Sequence, residues 1–96
     1  MRSVDLPTTR DLFARLKSLS GKDSAYGVAK HYGWNPGTVR RWELGHSRLD
    51  EKHINDVADA LGLDRGFVGL CVAIESTTDA NLAADMARFV AQPQAA

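Results

Sequence analysis

The chain has one cysteine, no long apolar run and no net charge, and the first two shortages already exclude whole classes of protein. A single cysteine, Cys71, cannot form an internal disulfide, which is typical of a chain that stays in a reducing compartment. It lies in the apolar stretch FVGLCVAI, which predicts a buried and unreactive thiol. No apolar stretch approaches the roughly 20 residues of a membrane helix, and the N-terminal MRSVDLPTTR lacks the apolar core of a signal peptide. We therefore expect a cytoplasmic protein with no membrane partner.

Alternating apolar runs bounded by hairpin turns are also missing, whereas helical spacing recurs along the whole chain. The fold class is therefore predicted to be all-α, and 96 residues suffice for one modest core. The sequence contains no nucleophile elbow, glycine-rich phosphate loop or zinc-hydrolase motif, so we do not expect an enzyme. Its histidines, His31, His46 and His53, are irregularly spaced and have no cysteine partners, so neither a metal site nor a cofactor is expected.

The absence of net charge conceals an uneven distribution. From Arg10 to His53 there are nine Lys and Arg residues against five Asp and Glu, a net charge of +4. From Ile54 to Ala96 there are two basic residues against six acidic ones, a net charge of −4. A basic half joined to an acidic half indicates a polyanionic partner for one end of the molecule, although such surfaces also occur without that role.

Six amphipathic segments with start and stop signals divide the chain. They are predicted to run from Thr8 to about Ser20, Ser24 to Gly33, Asn35 to Leu44, about Asp50 to Leu61, Asp64 onward, and Thr78 or Asp79 to the final QPQAA. Each segment has a predicted apolar face. In order from the first segment to the sixth, these faces are Leu12, Phe13, Leu16 and Leu19; Val28, Ala29 and Tyr32; Val39 and Trp42; Ile54, Val57, Ala58 and Leu61; Phe67, Leu70, Cys71 and Ile74; and Leu82, Met86, Phe89 and Val90.

The third of these segments has the most specific composition. Asn35 followed by Pro36 is a strong helix start, because asparagine accepts a bond from a free N–H and proline at the first helical position loses nothing. Trp42 and the valine three residues before it form the inward face, so the adjacent Arg40 and Arg41 cannot both be buried. Two outward arginines on a short helix indicate an anionic partner.

Helix two, the turn at Gly33 and helix three form a predicted helix-turn-helix. The positions around it that match a known pattern in register are Ala29, Gly33, Val39, the WE-x-G of Trp42, Glu43 and Gly45, and the closing I-x-x-V-A-x-A-L-G from Ile54 to Gly62. The stretch from Ser24 to Asp64, 41 of the 96 residues, resembles the Cro and lambda-repressor family, the xenobiotic-response-element type of helix-turn-helix. The resemblance implies a lambda-repressor-like five-helix DNA-binding domain at 1–75, with a sixth helix in 76–96 as a dimerisation extension.

The resemblance also implies which residues read DNA. In such a domain the third helix enters the major groove with its N-terminal half towards the bases. The family's reading positions fall on Pro36, Gly37, Thr38 and Arg41. Arg41 is the expected main reader, because its guanidinium group matches O6 and N7 of guanine. Pro36 and Gly37 depart from the Gln or Ser that is common in the family, so this chain should read fewer bases directly and rely more on DNA shape.

A second set of residues is expected to contact the DNA backbone and to fix register without reading sequence. Ala25 stands where the family commonly has Gln, so Lys22 and Asn35 are candidates to replace that phosphate contact. Because each neutralised phosphate releases counterions, binding should weaken steeply with salt. The full backbone set is Lys22, Ser24, Ala25, Asn35, Arg40, His46, Ser47 and Arg48.

Several of these residues also have purely structural interpretations. Trp42 is expected in the core, and Glu43 is expected to bond nearby backbone rather than to act as a catalytic acid. Trp34, at the turn, is expected to pack against helix one, with stacking on a DNA sugar as the alternative. Arg40 and Arg41 would be ordinary solvated residues if the chain did not bind DNA.

The C-terminal part of the chain predicts an assembly surface. The apolar stripe of helix six needs either the domain's own core or a second subunit to cover it, and we expect a homodimer built on Phe67, Leu70, Leu82, Met86, Phe89 and Val90. The expected function is a small phage or prophage-type repressor, bacterial and nucleoid-associated, that binds a palindromic operator. The alternatives are an antitoxin that also grips a toxin protein, and a protein-interaction module that has lost DNA binding. An antirepressor is a further possible partner, and the operator, the regulated gene and the inducing signal stay open.

Overall fold

The computed structural model describes residues 6–91 of the chain, and these fold into six α-helices with no strand among them. The all-α prediction is therefore confirmed. Residues 1–5 of the predicted DNA-binding domain and residues 92–96 of the predicted extension, the final QPQAA, lie outside the described residues. The helices are α1 Thr9–Ser20, α2 Ala25–Tyr32, α3 Pro36–Leu44, α4 Glu51–Leu61, α5 Arg65–Glu75 and α6 Ala80–Ala91.

The helix ends follow the capping signals of the sequence. Thr8 and Asp11 form a reciprocal capping box at the start of α1, in which Thr8 Oγ1 accepts the Asp11 N–H and the Asp11 carboxylate accepts the Thr8 N–H. Of the two predicted starts of helix six, Asp79 is the one that caps it, since its Oδ1 accepts the N–H of Leu82 at 2.9 Å. Gly33 ends α2 with a φ of 77°, a left-handed conformation that a residue with a Cβ adopts only at a cost.

The core lies where α1, α2, α3, α4 and α5 meet. Its largest fully buried side chain is Trp42, and the predicted inward residues Val39, Val57 and Ala58 are buried beside it. Leu19 lies on the predicted apolar stripe of α1 but is 62% exposed, because it falls in the last turn, beyond the residues that the core covers. The remaining buried members of the core cluster are Leu12, Phe13, Leu16, Ala25, Val28, Ala29, Leu49, Val68 and Val72.

Helix α6 packs on α5, and of its predicted apolar stripe Leu82 and Phe89 stay exposed whereas Met86 and Val90 are half-buried. Its buried residue is Ala87, and Ala83, Ala84 and Ala87 line a groove with Cys71 of α5. Ala83 is half-buried like Met86 and Val90, so the packed side of α6 combines small residues with part of the predicted stripe. None of the six described helices combines the length and apolar character that crossing a bilayer requires.

Candidate nucleic-acid interface

The first turn of α3 is shaped by a cap that the sequence specifies. Asn35 has an extended backbone, and its Oδ1 accepts the N–H of Thr38 at 3.1 Å. Pro36 follows at the first helical position, where no N–H is needed. A Cβ placed on Gly37 would lie 3.1 Å from Asn35 Oδ1, so the glycine keeps the capping oxygen unhindered. Of the four predicted reading residues, Gly37 and Arg41 are exposed, whereas Pro36 and Thr38 are half-buried.

The two arginines of α3 differ in their surroundings. Arg40 Nη1 donates to Glu43 Oε1 at 3.3 Å, one turn along the same helix. Glu43 was expected to bond backbone, and this is corrected: its partner is the Arg40 side chain, because i and i+3 positions adjoin on a helix surface. Arg41 is exposed, and within residues 6–91 no carboxylate oxygen lies within 4.0 Å of its guanidinium nitrogens.

Trp42 is the anchor beneath these arginines, and it belongs to an aromatic cluster. The Trp34 ring stacks on Tyr32, with centroids 4.7 Å apart, and meets Trp42 edge-on at 5.7 Å. His53 of α4 lies 5.0 Å from the Trp42 ring and 6.1 Å from the Trp34 ring. Trp34 therefore packs on aromatic rings of α2, α3 and α4, and it is half-buried against a core cluster to which α1 also contributes, so its packing against helix one stays a prediction. The ring follows the Gly33 turn, which directs it towards α4.

The His53 ring is held in turn by the cap of α4. Asp50 Oδ1 accepts the His53 N–H at 2.9 Å and lies 2.7 Å from His53 Nδ1. These bonds favour the carboxylate form, and the His53 N–H is the largest cause that holds the pKa of Asp50 below its ordinary value. The start of α4 is thereby linked to the aromatic support of α3.

The first turn of α2 brings three members of the backbone set together. Ser24 Oγ accepts the Gly27 N–H at 3.0 Å and caps the helix. A Cβ on Gly27 would lie 3.2 Å from Lys22 Cβ, so the glycine makes room for the lysine stem beside this turn. The side chain of Ala25 is buried in the core, because it is the first inward position of α2, so a phosphate contact expected at Ala25 would come from its main chain.

Two further members of the backbone set, Asn35 and Arg40, are the cap of α3 and a residue of that helix. The other three lie in the segment between α3 and α4, which we call the arm, residues 46–49. His46 N–H donates to Arg41 O at 2.9 Å and Leu49 is buried, so the arm is held at both ends. Within the described part of the chain, Ser47 and Arg48 donate and accept no hydrogen bond. Their donors are therefore available to a ligand.

Two exposed groups near these elements were not singled out from the sequence. Arg10 of α1 lies beside the end of α3, where its Cδ would be 3.2 Å from a Cβ on Gly45. Tyr26 of α2 is exposed, and Lys30 Nζ lies 5.7 Å from its ring centroid, one turn further along. Arg10 had no sequence signal besides its charge, whereas the i, i+4 spacing of Tyr26 and Lys30 on an outward face is visible in the sequence.

The predicted assembly residues separate into two groups. Phe67, Leu70, Phe89 and Val90 come together around a cleft of about 330 Å³ between α5 and α6, and we call these four residues the apolar cleft. Leu82 is exposed but does not line the cleft. Met86 is half-buried, and its Sδ lies 3.9 Å from Thr77 Oγ1 within the same chain.

The described residues contain no group of three or more His, Cys, Asp or Glu side chains that could hold a metal ion. Cys71 is buried, as predicted, and this burial raises the pKa of its thiol. Comparison of the chain with protein-family models, with curated proteins and with solved structures gave no match.

Proposed function

We propose that the chain is a sequence-specific double-stranded DNA-binding regulator, a small phage or prophage-type repressor that occupies a palindromic operator as a homodimer and needs no cofactor. The observation that carries the proposal is the arrangement of α3. Val39 and Trp42 hold the helix against the core, and Arg40 and Arg41 stand exposed on its outer side. A guanidinium group without a carboxylate partner keeps its five donors for a base edge or a phosphate.

The relation between Arg41 and Gly37 supports Arg41 as the base reader. Residues four apart lie on the same face of a helix, and long helical side chains lean towards the N-terminus. Arg41 therefore extends over Gly37, which has no side chain to obstruct it. Arg40 lies about 100° further round the helix and is held by Glu43, so it faces a phosphate rather than the same base pair.

Backbone contacts are proposed from the α2 start and from the arm. The N–H groups of the first turn of α2 and the nearby Lys22 favour an anion. Arg48 and the main chain of Ser47 meet the next phosphates. Each phosphate neutralised in this way adds about 0.9 to the slope with which the logarithm of the binding constant falls as the logarithm of the salt concentration rises.

The homodimer is proposed from the exposed apolar side chains of α5 and α6. Leu70 and Phe89 of the apolar cleft are 49% and 76% exposed, and Leu82 near it is 52% exposed. A second copy that covers this surface would relate two α3 helices by a dyad, with half-sites roughly 34 Å apart. The net charge of −4 from Ile54 onward keeps this half away from DNA.

The test begins with selection of bound duplexes from a random pool, which reports binding, palindromy and half-site spacing together. Arg41→Ala is then compared with Arg88→Ala on the selected duplex. Arg88 is a matched control, because it is an exposed helical arginine of α6 that pairs with Asp85. Loss of a bidentate guanine contact should weaken Arg41→Ala by roughly ten- to a hundred-fold and relax preference at one base pair.

Arg88→Ala should bind the selected duplex as the unchanged chain does. Equal affinity of the two variants would reject Arg41 as the reader. A pool from which no duplex is enriched would reject DNA recognition by this chain altogether.

An antitoxin is the second candidate function, and the apolar cleft is the observation that favours it. A cleft flanked by an exposed phenylalanine is a surface that a partner protein can grip as well as a second copy. A neighbouring gene for a small toxin, together with a complex of one toxin molecule on this cleft, would decide for the antitoxin. The same arginines would then serve repression of the chain's own operon.

A further inference from the structure

Thr9 is the one buried residue with a polar side chain in the part of the chain that the structure describes, and it is 1% exposed. Its N–H donates to Glu75 Oε1 at 3.0 Å, and its hydroxyl donates to the same oxygen at 2.8 Å. Its Oγ1 accepts the N–H of Leu49 at 3.4 Å. Among residues 6–91 these three are the side-chain hydrogen bonds that join positions more than nine residues apart.

The three bonds join three separate elements, because Glu75 Oε1 accepts both Thr9 bonds and Thr9 Oγ1 also accepts the Leu49 N–H. Thr9 begins α1, Glu75 ends α5, and Leu49 is the last residue of the arm. The hydroxyl has one proton, and because the Glu75 carboxylate can only accept, that proton goes to Glu75. The lone pairs of Oγ1 are then left for the Leu49 N–H, so the donor and the acceptor of each of these three hydrogen bonds are determined. A bond to a carboxylate also polarises the hydroxyl and strengthens the next bond in line.

We propose that Thr9 is a positioning residue for DNA-backbone binding, an inference that rests on the proposed function. It holds the main chain at Leu49, while the bond from His46 N–H to Arg41 O holds the other end of the arm. Ser47 and Arg48 lie between these two anchors and make no hydrogen bond with the described residues. The orientation of Ser47 and Arg48 therefore depends on these two hydrogen bonds. Loss of the bond at Leu49 would let Arg48 move away from the phosphate that it is proposed to contact.

The test uses two substitutions at Thr9 that separate the hydroxyl from the side-chain volume. Thr9→Val keeps the branched shape and loses the hydroxyl, whereas Thr9→Ser keeps the hydroxyl and loses a methyl group. Affinity for the selected duplex is measured over a range of salt concentrations, at a temperature where circular dichroism shows each variant folded. Thr9→Val should bind several-fold to tenfold more weakly, with a salt slope lower by about 0.9, the share of one phosphate. Thr9→Ser should keep the slope of the unchanged chain.

A double-mutant cycle separates positioning from a general loss of structure. If Thr9 acts through Arg48, then Thr9→Val should add no further loss in an Arg48→Ala background. Additive losses, or an unchanged salt slope in Thr9→Val, would overturn the inference. Should Thr9→Val not fold, Glu75→Gln replaces it in the same cycle, since an amide oxygen accepts both Thr9 bonds more weakly and should lower the slope in the same direction.

Failure of this inference and failure of the proposed function give different results. A chain that enriches no duplex, or whose Arg41→Ala variant binds as well as the unchanged chain, contradicts the proposed function itself. A chain that needs Arg41 but whose Thr9→Val variant keeps its affinity and slope contradicts only the role of Thr9.

Discussion

Phe89 is the residue of α6 in the apolar cleft that is 76% exposed, and its replacement by alanine should weaken the proposed homodimer while leaving the folded monomer intact. The magnitude follows from the exposed area. A phenylalanine side chain buries roughly 200 Å² when fully covered. Three quarters of that area is about 150 Å², which at about 25 cal/mol per Å² is worth ~4 kcal/mol for each protomer if the partner copy covers it.

Alanine retains part of this contact, and each copy contributes one Phe89 to a symmetric interface. If the partner copy covers about half of the exposed area of each ring and alanine retains a further part of the contact, the two substitutions together cost about 3 kcal/mol, which raises the dissociation constant roughly a hundredfold. The assay is sedimentation equilibrium over a concentration series, with thermal unfolding of the same samples. Because Phe89 is exposed in the monomer, the free energy of unfolding of the dissociated chain should change by less than about 0.5 kcal/mol.

Leu19→Ala is the matched control for this experiment. Leu19 is also a large exposed apolar residue, 62% exposed, but it lies on α1, away from the apolar cleft. It should leave the dissociation constant unchanged. A chain that sediments as a monomer at every concentration, or a Phe89→Ala variant that associates as before, would refute the reasoning from exposed area.

Two further expectations concern stability. Trp42→Ala removes the 1% exposed indole that contacts Trp34 and His53 and should lower the free energy of unfolding by about 3–5 kcal/mol in a urea titration; a loss below about 1 kcal/mol would show that the cluster does not support α3. The pKa of Asp50 lies below its ordinary 3.8, so the carboxylate's contribution to the free energy of unfolding is fully present above pH 3.8 and is lost as the pH falls through the lowered pKa. Asp50→Asn keeps a capping oxygen, so its thermal midpoint should lie below that of the unchanged chain near pH 6 and approach it in acid; a constant gap would contradict this cause.

The helix bounds could be predicted from the sequence because they are decided by local chemistry. Ser24, Asn35, Asp50 and Asp64 each carry a short side chain that reaches the N–H groups of the following turn, and each caps the helix that was predicted after it. Such a bond needs no information from elsewhere in the fold. The exposure of Arg41 was likewise predictable, since the spacing of its apolar neighbours determines the inward face of α3.

What sequence reasoning missed depends on which elements meet. The contacts of Trp34 with α3 and α4 were not predicted, because periodicity specifies which face of a helix is apolar and says nothing about which helices cover a residue in a turn. How α6 meets α5 was left open for a related reason: alanine is weakly apolar, so the buried Ala87 gives a weaker sequence signal than the stripe that contains Phe89. The hydrogen bonds of Thr9 to Glu75 join residues 66 positions apart, and no local sequence pattern predicts them.

The glycine in the first turn of α3 has a physical interpretation that joins the fold to the proposed reading of DNA. Gly37 lowers helix propensity by up to about 1 kcal/mol relative to alanine, and this cost falls in the first turn of a nine-residue helix. The Asn35 cap offsets much of it, because that bond is worth about 1 kcal/mol and a Cβ at Gly37 would crowd its oxygen. The glycine also leaves the surface in front of Arg41 bare. Glycine at position 37 thus removes one side chain that could read a base, but it leaves the Asn35 cap unhindered and puts no side chain in front of Arg41. Sequence recognition should therefore be concentrated at the base pair that Arg41 contacts.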